Sequence, residues 1–360
     1  MKAKNVCLLV AGTVVFSSFA SMKLAAKDLE SDTIKQEGGK QESKVELKEK
    51  TSKDRPHMDL AFCIDTTGSM QNEIDMVKTK VKDLVAKLCA GKPAPIVRVG
   101  LVAFRDRGDE YVTKIYPFTD DVDKFVKDIS ELKAFGGGDG PEAVNEALHA
   151  SVRDLDWDKS NKTAKLLFLI GDATPKVYPD DYKWDDEAKF AVGHGIQINT
   201  IGCHGLENYG DGVQVFSEIA KLADGKFERL SYRQIVRDRR GEEKTLVTSG
   251  GTTYEVSSAA RGDWKKGATE LAKAGKAKSV NRAYLLSGGS ASGGMTAVSG
   301  VSHARFAAAA PMSASAGAGM AGDSYYAAGG VSRKDSNLDS VMYDAAMKRA
   351  SEKLKVNYSK

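Results

Sequence analysis

From Met58 onward, apolar runs of strand length alternate with stretches of helical period, and this alternation limits the fold more than any other feature of the chain. Alternating strand and helix signals are the mark of a parallel sheet flanked by helices. Six runs read as strands: "DLAFCI", "VRVGLVAF", "VTKIYPF", "KLLFLI", "IQINTIG" and "KFERL". The second and third are joined by the polar, glycine-containing "RDRGDEY", short enough for an antiparallel hairpin. Between strands, Ile74, Val77, Val81, Leu84, Val85 and Leu88 fall on one helical face. The same spacing recurs in Val122, Phe125, Val126, Ile129 and Leu132, and again in Val144, Ala147, Leu148, Val152 and Leu155. A further helix is expected over "VQVFSEIAKLADG", closed by Gly225 as a C′ glycine. The resulting order, β α β β α α β α β α β, predicts an α/β fold over residues 57–232. It is a doubly wound, mostly parallel six-stranded sheet with one antiparallel edge strand and helices on both faces, Rossmann-like in its winding.

The flanks read differently. The first 20 residues combine a lysine-bearing start, an apolar stretch from Val6 to Ala20 and small residues at Ser18 and Ala20. That pattern predicts a cleaved signal peptide and an exported protein, whether periplasmic, extracellular or at the cell surface. An uncleaved anchor needs roughly 20 apolar residues in a row, and this run is interrupted by Ser17 and Ser18. Residues 21–56 are charged and nearly free of aromatics, and are expected to be a disordered tether. Residues 233–286 form an extension in which a short helix is expected around Asp263 to Lys278. Arg229, Arg233, Arg237, Arg239 and Arg240, followed at once by Glu242 and Glu243, are expected on a solvated helix. Residues 287–332 are rich in Gly, Ala and Ser and read as flexible. Residues 333–360 regain helical spacing through Leu338, Met342, Ala345, Ala346 and Leu354, an amphipathic helix with a face to dock.

Several functional classes fall away. The net charge of +4 is small and its basic residues are mixed with acidic ones, which argues against nucleic acid. There is no G-x-x-x-x-G-K-[ST] phosphate loop, and His57, His149, His194, His204 and His303 lack ligand spacing. Cys63 and Cys203 stand in apolar runs as small buried hydrophobes. Two R-G-D tripeptides, at 107–109 and 261–263, are short enough to arise by chance.

What stands out is the exit from the first strand, "DLAFCIDTTGSMQNEI". It sets Asp65, Thr66, Thr67 and Ser69 together at a strand's C-terminal end. Two more acidic loops belong at that edge: Asp139 in "AFGGGDGPEA" and Asp172 in "LLFLIGDATP". In an open doubly wound sheet, ligands bind outside the carboxyl ends of the strands, near the reversal of strand order. Carboxylate and hydroxyl oxygens suit Mg²⁺, Mn²⁺ or Ca²⁺ rather than zinc. Arg105 and Asp106 end a strand on the same side, where they serve equally well as an ion pair orienting the loop or as a direct contact to a ligand.

Asp65, Thr67 and Ser69 resemble the D-x-S-x-S metal motif of von Willebrand factor type A domains, with Thr67 in place of the first serine. The expected strand and helix order resembles that fold as well, and "GGGDGPE", "AFRDRGDEY" and "FTDDVDKF" resemble its hemicentin-like branch. The resemblance implies a metal-ion-dependent adhesion site in which Asp65, Thr67, Ser69, Asp139 and Asp172 hold a divalent cation, Mg²⁺ or else Mn²⁺ or Ca²⁺. An acidic side chain of a protein partner would complete the coordination, with no enzymatic activity and no small-molecule substrate. The second loop departs from the pattern, since Asp139 stands where the family has a threonine. A competing resemblance is that of "DTTGS" to the phosphorylated-aspartate loop of cation-pumping ATPases and haloacid dehalogenase-like phosphatases, which would make Asp65 a nucleophile. Against it, Thr67 occupies the place of the phosphatases' second acid.

Overall fold

The computed structural model describes residues 55–237, 241–280 and 335–358. The expected signal peptide, nearly all of the tether and the Gly/Ala/Ser-rich segment lie outside the described residues. Strand β1 (His57–Asp65) leads through a single 3₁₀ turn at Gly68–Met70 into α1 (Gln71–Cys89). Strands β2 (Ile96–Phe104) and β3 (Thr113–Thr119) follow, then α2 (Val122–Asp128) and α3 (Val144–His149), which widens into a π-helical turn over Ala150–Asp154. The chain continues with β4 (Ala164–Gly171), α4 (Trp184–Gly193), β5 (Ile196–Gly202), α5 (Gly212–Leu222) and β6 (Phe227–Arg229). The sheet order is β3-β2-β1-β4-β5-β6, with β2 and β3 antiparallel and every other neighbour parallel. This is the doubly wound, mostly parallel six-stranded sheet with an antiparallel edge strand that the pattern of apolar runs predicts.

The central strands are apolar on both faces because helices cover both faces. Successive side chains of a strand point to opposite sides. In β1, Met58, Leu60, Phe62 and Ile64 enter one core with α1 and α2, while Ala61 and Cys63 enter the other with α3, α4 and α5. Strand β4 divides in the same way, with Leu166, Phe168 and Ile170 on the first side and Leu167 and Leu169 on the second. Phe62 stacks on Phe168 with ring centroids 5.9 Å apart. Fully burying a side chain of this size contributes about 1.5–3 kcal/mol over leaving it exposed.

Three local expectations change. The left-handed residue that ends α5 is Asp224 (φ 61°), one place before Gly225. The Gly225 amide donates to the Ala220 carbonyl at 2.8 Å, as the second residue past the cap does in a Schellman ending. Arg239 and Arg240 lie outside the described residues, and the rest of the arginine-rich stretch is not a solvated helix: Tyr232–Arg237 is a strand, β7, in a second, antiparallel sheet with β8 (Glu243–Ser249), β9 (Thr252–Val256) and β10 (Ala277–Ser279), ordered β10-β9-β8-β7. Pairing along β8 supplies backbone partners that a surface helix would have made internally, and Arg233 bonds Asp335 at 2.7 Å and lies over the Trp264 ring. The helix expected around Asp263 to Lys278 is broken by Gly267 (φ 95°) and Gly275 (φ 69°) into a 3₁₀ stretch Ser258–Lys266, a short α6 (Ala268–Lys273) and then β10.

Helix α7 (Leu338–Leu354) returns to the first sheet, placing Leu338, Met342, Ala346 and Ala350 in the core with α1 and β4. Asn337 fixes its start by exchanging hydrogen bonds with Ser231 at 2.8 and 3.1 Å. Among the described residues no helix is long and apolar enough to cross a membrane.

Candidate metal centre

Strand order reverses between β1 and β4, and Asp65 and Asp172 leave the sheet at the C-terminal ends of these neighbouring parallel strands. Asp65 is buried. Its Oδ1 accepts from the Thr67 amide at 2.8 Å and the Thr67 hydroxyl at 2.7 Å. Its Oδ2 is also buried and has no hydrogen-bond partner. Burial, and then the Asp172 carboxylate, push the Asp65 carboxyl up to about 8, with the Thr67 hydroxyl and amide pulling the other way. Burial likewise raises Asp172, against the opposing pull of the Ser69 hydroxyl that hydrogen-bonds it. The structure therefore brings Asp65, Thr67, Ser69 and Asp172 together.

Backbone bonds hold this first loop in place. The Thr66 amide and hydroxyl both donate to the Phe104 carbonyl at 2.8 Å, and the Gly68 amide donates to Gly136 at 3.2 Å. The Phe135 amide returns a bond to the Thr66 carbonyl at 2.9 Å. Arg105, buried, donates to the carbonyls of Thr66 at 3.3 Å and Lys133 at 3.1 Å and pairs with Glu110 at 3.1 Å. It orients the loop. Asp109, within the first R-G-D, accepts through Oδ2 from the amides of Asp106 and Gly137 at 3.2 and 3.1 Å, so its carboxylate braces two loops.

Asp139 stands apart from this group. Its side chain is 61% exposed and bonds the Lys176 ammonium at 2.8 Å. Lys176 also reaches Asp106 at 2.5 Å, and Tyr178 donates to the same carboxylate. Asp106, and then Asp139, hold the Lys176 ammonium well above its usual range. The second loop instead turns Glu142 inward. Glu142 is 3% exposed, and burial followed by the nearby Asp65 charge pushes its carboxyl up to about 9. A Cβ on Gly137 would lie 2.8 Å from Glu142 Oε1 and 2.9 Å from Thr67 Cβ, so that carboxylate and Thr67 are neighbours across the glycine. The residue is visible in "GGGDGPEA", but a sequence pattern gives no sign of which acid in such a loop is buried.

The donor set suits a hard cation. A buried carboxylate oxygen with no protein donor, a second buried carboxylate beside it and two hydroxyls offer a cation a set of oxygen ligands. Among the described residues no three His, Cys, Asp or Glu side chains converge closely enough to cage a metal alone. Hydroxyls and water would have to share the coordination with the carboxylates.

Residues 59–201 match the family model described as the von Willebrand factor A domain. Human von Willebrand factor A domain-containing protein 7 is 35% identical over 121 residues, 34% of this chain and 12% of that protein. Mouse hemicentin-2 is 26% identical over 190 residues, 53% of this chain and 4% of that protein. The chain thus spans only a small part of the curated relatives it matches. The crystal structure of the conserved hypothetical protein BatB from Bacteroides thetaiotaomicron is 18% identical, covers 48% of this chain and 89% of its own, and superposes with a TM-score of 0.35. With the family match over 59–201 and the strand order β3-β2-β1-β4-β5-β6 both in place, residues 59–201 form a von Willebrand factor A domain.

Proposed function

We propose that this domain binds one divalent cation, Mg²⁺ or else Mn²⁺ or Ca²⁺, through Asp65, Thr67, Ser69 and Asp172, and through that cation an acidic side chain of a protein partner. The observation that carries this reading is the buried, unpartnered Oδ2 of Asp65 beside the Asp172 carboxylate at the reversal of strand order. When bound, the cation supplies a positive centre at an otherwise acidic sheet edge. Asp65 holds charge there, Thr67 fixes the rotation of that carboxylate, and Ser69 positions Asp172. Phe135, 71% exposed, and Val177, 85% exposed, flank the same loops and offer apolar contact to a protein rather than to a small molecule. The apolar Val6 to Ala20 stretch supports binding outside the cytoplasm.

The reading is non-enzymatic, and neither the family match nor the human relative supports the haloacid dehalogenase-like alternative with Asp65 as nucleophile. A ligand that binds only the native state raises its stability by mass action. Adding Mg²⁺ to chelator-stripped full-length protein is expected to raise its melting temperature, and Asp65→Ala is expected to abolish the rise. Equal shifts in both proteins would sink the proposal.

A further inference from the structure

We propose that Glu142, not Asp139, is the anionic contribution of the second loop to the cation site, acting through a water held between its carboxylate and the cation. The inference rests on the cation reading above and concerns which acid of "GGGDGPEA" serves it. Asp139 is the acid of that loop that the sequence singles out, but its charge is already matched. Lys176 reaches both of its oxygens, at 2.8 and 3.0 Å, and most of the side chain faces solvent.

Glu142 is in the opposite situation. It is almost wholly buried, its Oε2 has no hydrogen-bond partner, and it has no ion pair among the described residues. The charges around it, Asp65, Asp106, Asp109 and Asp172, are all of its own sign. A buried carboxylate without donor or counter-ion costs several kcal/mol, so an evolved fold keeps one where something completes it.

The backbone that carries the side chain is also fixed. The Glu142 amide donates to the Thr174 carbonyl at 3.1 Å, its own carbonyl accepts from the Lys176 amide at 2.8 Å, and the next amide, of Ala143, donates to Arg105 at 3.3 Å. These bonds tie the residue to the loops that follow β4 and β2. Gly137, at φ 75°, lets Glu142 Oε1 and the Thr67 side chain stand close to each other with no Cβ between them. Because no three acidic side chains cage the site on their own, a water between carboxylate and cation suits the spacing better than direct ligation.

Calorimetric titration of Mn²⁺ into chelator-stripped full-length protein tests this, using wild type, Asp65→Ala, Glu142→Gln and Asp139→Asn. Glutamine keeps the shape of the uncharged acid, so it separates a charge that serves the cation from a carboxyl that merely fills space. Loss of an outer-shell partner typically costs about 10–100-fold in metal affinity. Glu142→Gln is expected to show a loss of that size, and Asp139→Asn to bind as wild type does. Thermal unfolding in chelator checks that each variant is folded. If Glu142→Gln is not, Glu142→Asp, which withdraws the charge by one methylene, is expected to weaken binding instead. Unchanged affinity in a folded Glu142 variant, or a larger loss in Asp139→Asn, overturns the proposal while Asp65→Ala still reports on the cation site. A wild-type protein that binds no Mn²⁺ overturns the cation reading and this inference with it.

Discussion

Gly225 occupies a position that admits no side chain: a Cβ there would lie 1.8 Å from the Ile198 carbonyl oxygen, on the backbone of β5. Backbone cannot rotate aside as a flexible side chain does, so Gly225→Ala is expected to cost about 3 kcal/mol, the upper part of the overpacking range. Urea denaturation gives the figure directly, and a cost near zero would mean that the end of α5 shifts freely. Asp59 presents the complementary case. Its buried carboxylate accepts two bonds from the Arg98 guanidinium, at 2.8 and 2.7 Å, and one from the Asp158 amide at 2.8 Å. Arg98→Ala leaves that charge buried with a single donor and is expected to destabilise the fold by about 3 kcal/mol. Replacing both partners, as in Asp59→Leu with Arg98→Met, is expected to recover much of the loss, because no charge is then stranded. Chemical denaturation of the single and double variants checks the pair.

At the scale of elements, α7 is separated from the sheet it covers by more than 100 residues of sequence, yet it contributes Leu338, Met342, Ala346 and Ala350 to the first core. It therefore belongs energetically to the six-stranded sheet. Met342→Ala is expected to cost about 2–4 kcal/mol, the range for emptying a buried site of this size. The unfolding transition of the sheet should move with it as one event, whereas a separate early transition would show α7 to be an independent layer. Strand β7 teaches a related point. Its residues alternate poorly in polarity, and what holds it as a strand is its antiparallel register with β8 and the Arg233 to Asp335 pair.

Across the whole molecule, the two cores seal the thiol on β1 and the one just past the end of β5. Burial pushes the Cys63 thiol up to about 12 and the Cys203 thiol well above its ordinary value. Cys89, at the end of α1, is only half-buried and is raised less, again by burial. A thiol that is both raised and wholly buried presents no thiolate to a reagent at pH 8. Of these three residues, only Cys89 is expected to react with a thiol-specific reagent in the native protein, and all three after denaturation. Mass spectrometry of labelled peptides decides the point, and native labelling of Cys63 would mean that the sheet opens readily.

The sequence by itself determined the six-stranded α/β domain, because every central strand is buried on both faces and so reads as an uninterrupted apolar run, set off by helices of regular spacing. It also picked out Asp65, Thr67, Ser69, Asp139 and Asp172 together, since the carboxyl end of a parallel strand is where a doubly wound sheet presents its loops. It named Asp139 for the second loop and gave no sign that Glu142 is the acid turned inward. Both are acids in one glycine-rich turn, and which of them points inward depends on Lys176, a residue of another loop, and on backbone bonds to Thr174 and Arg105. The second sheet and the docking of α7 were beyond local pattern for the same reason. Arg233 and Met342 find their partners far along the chain, and only tertiary structure brings together groups whose pairing carries no local period.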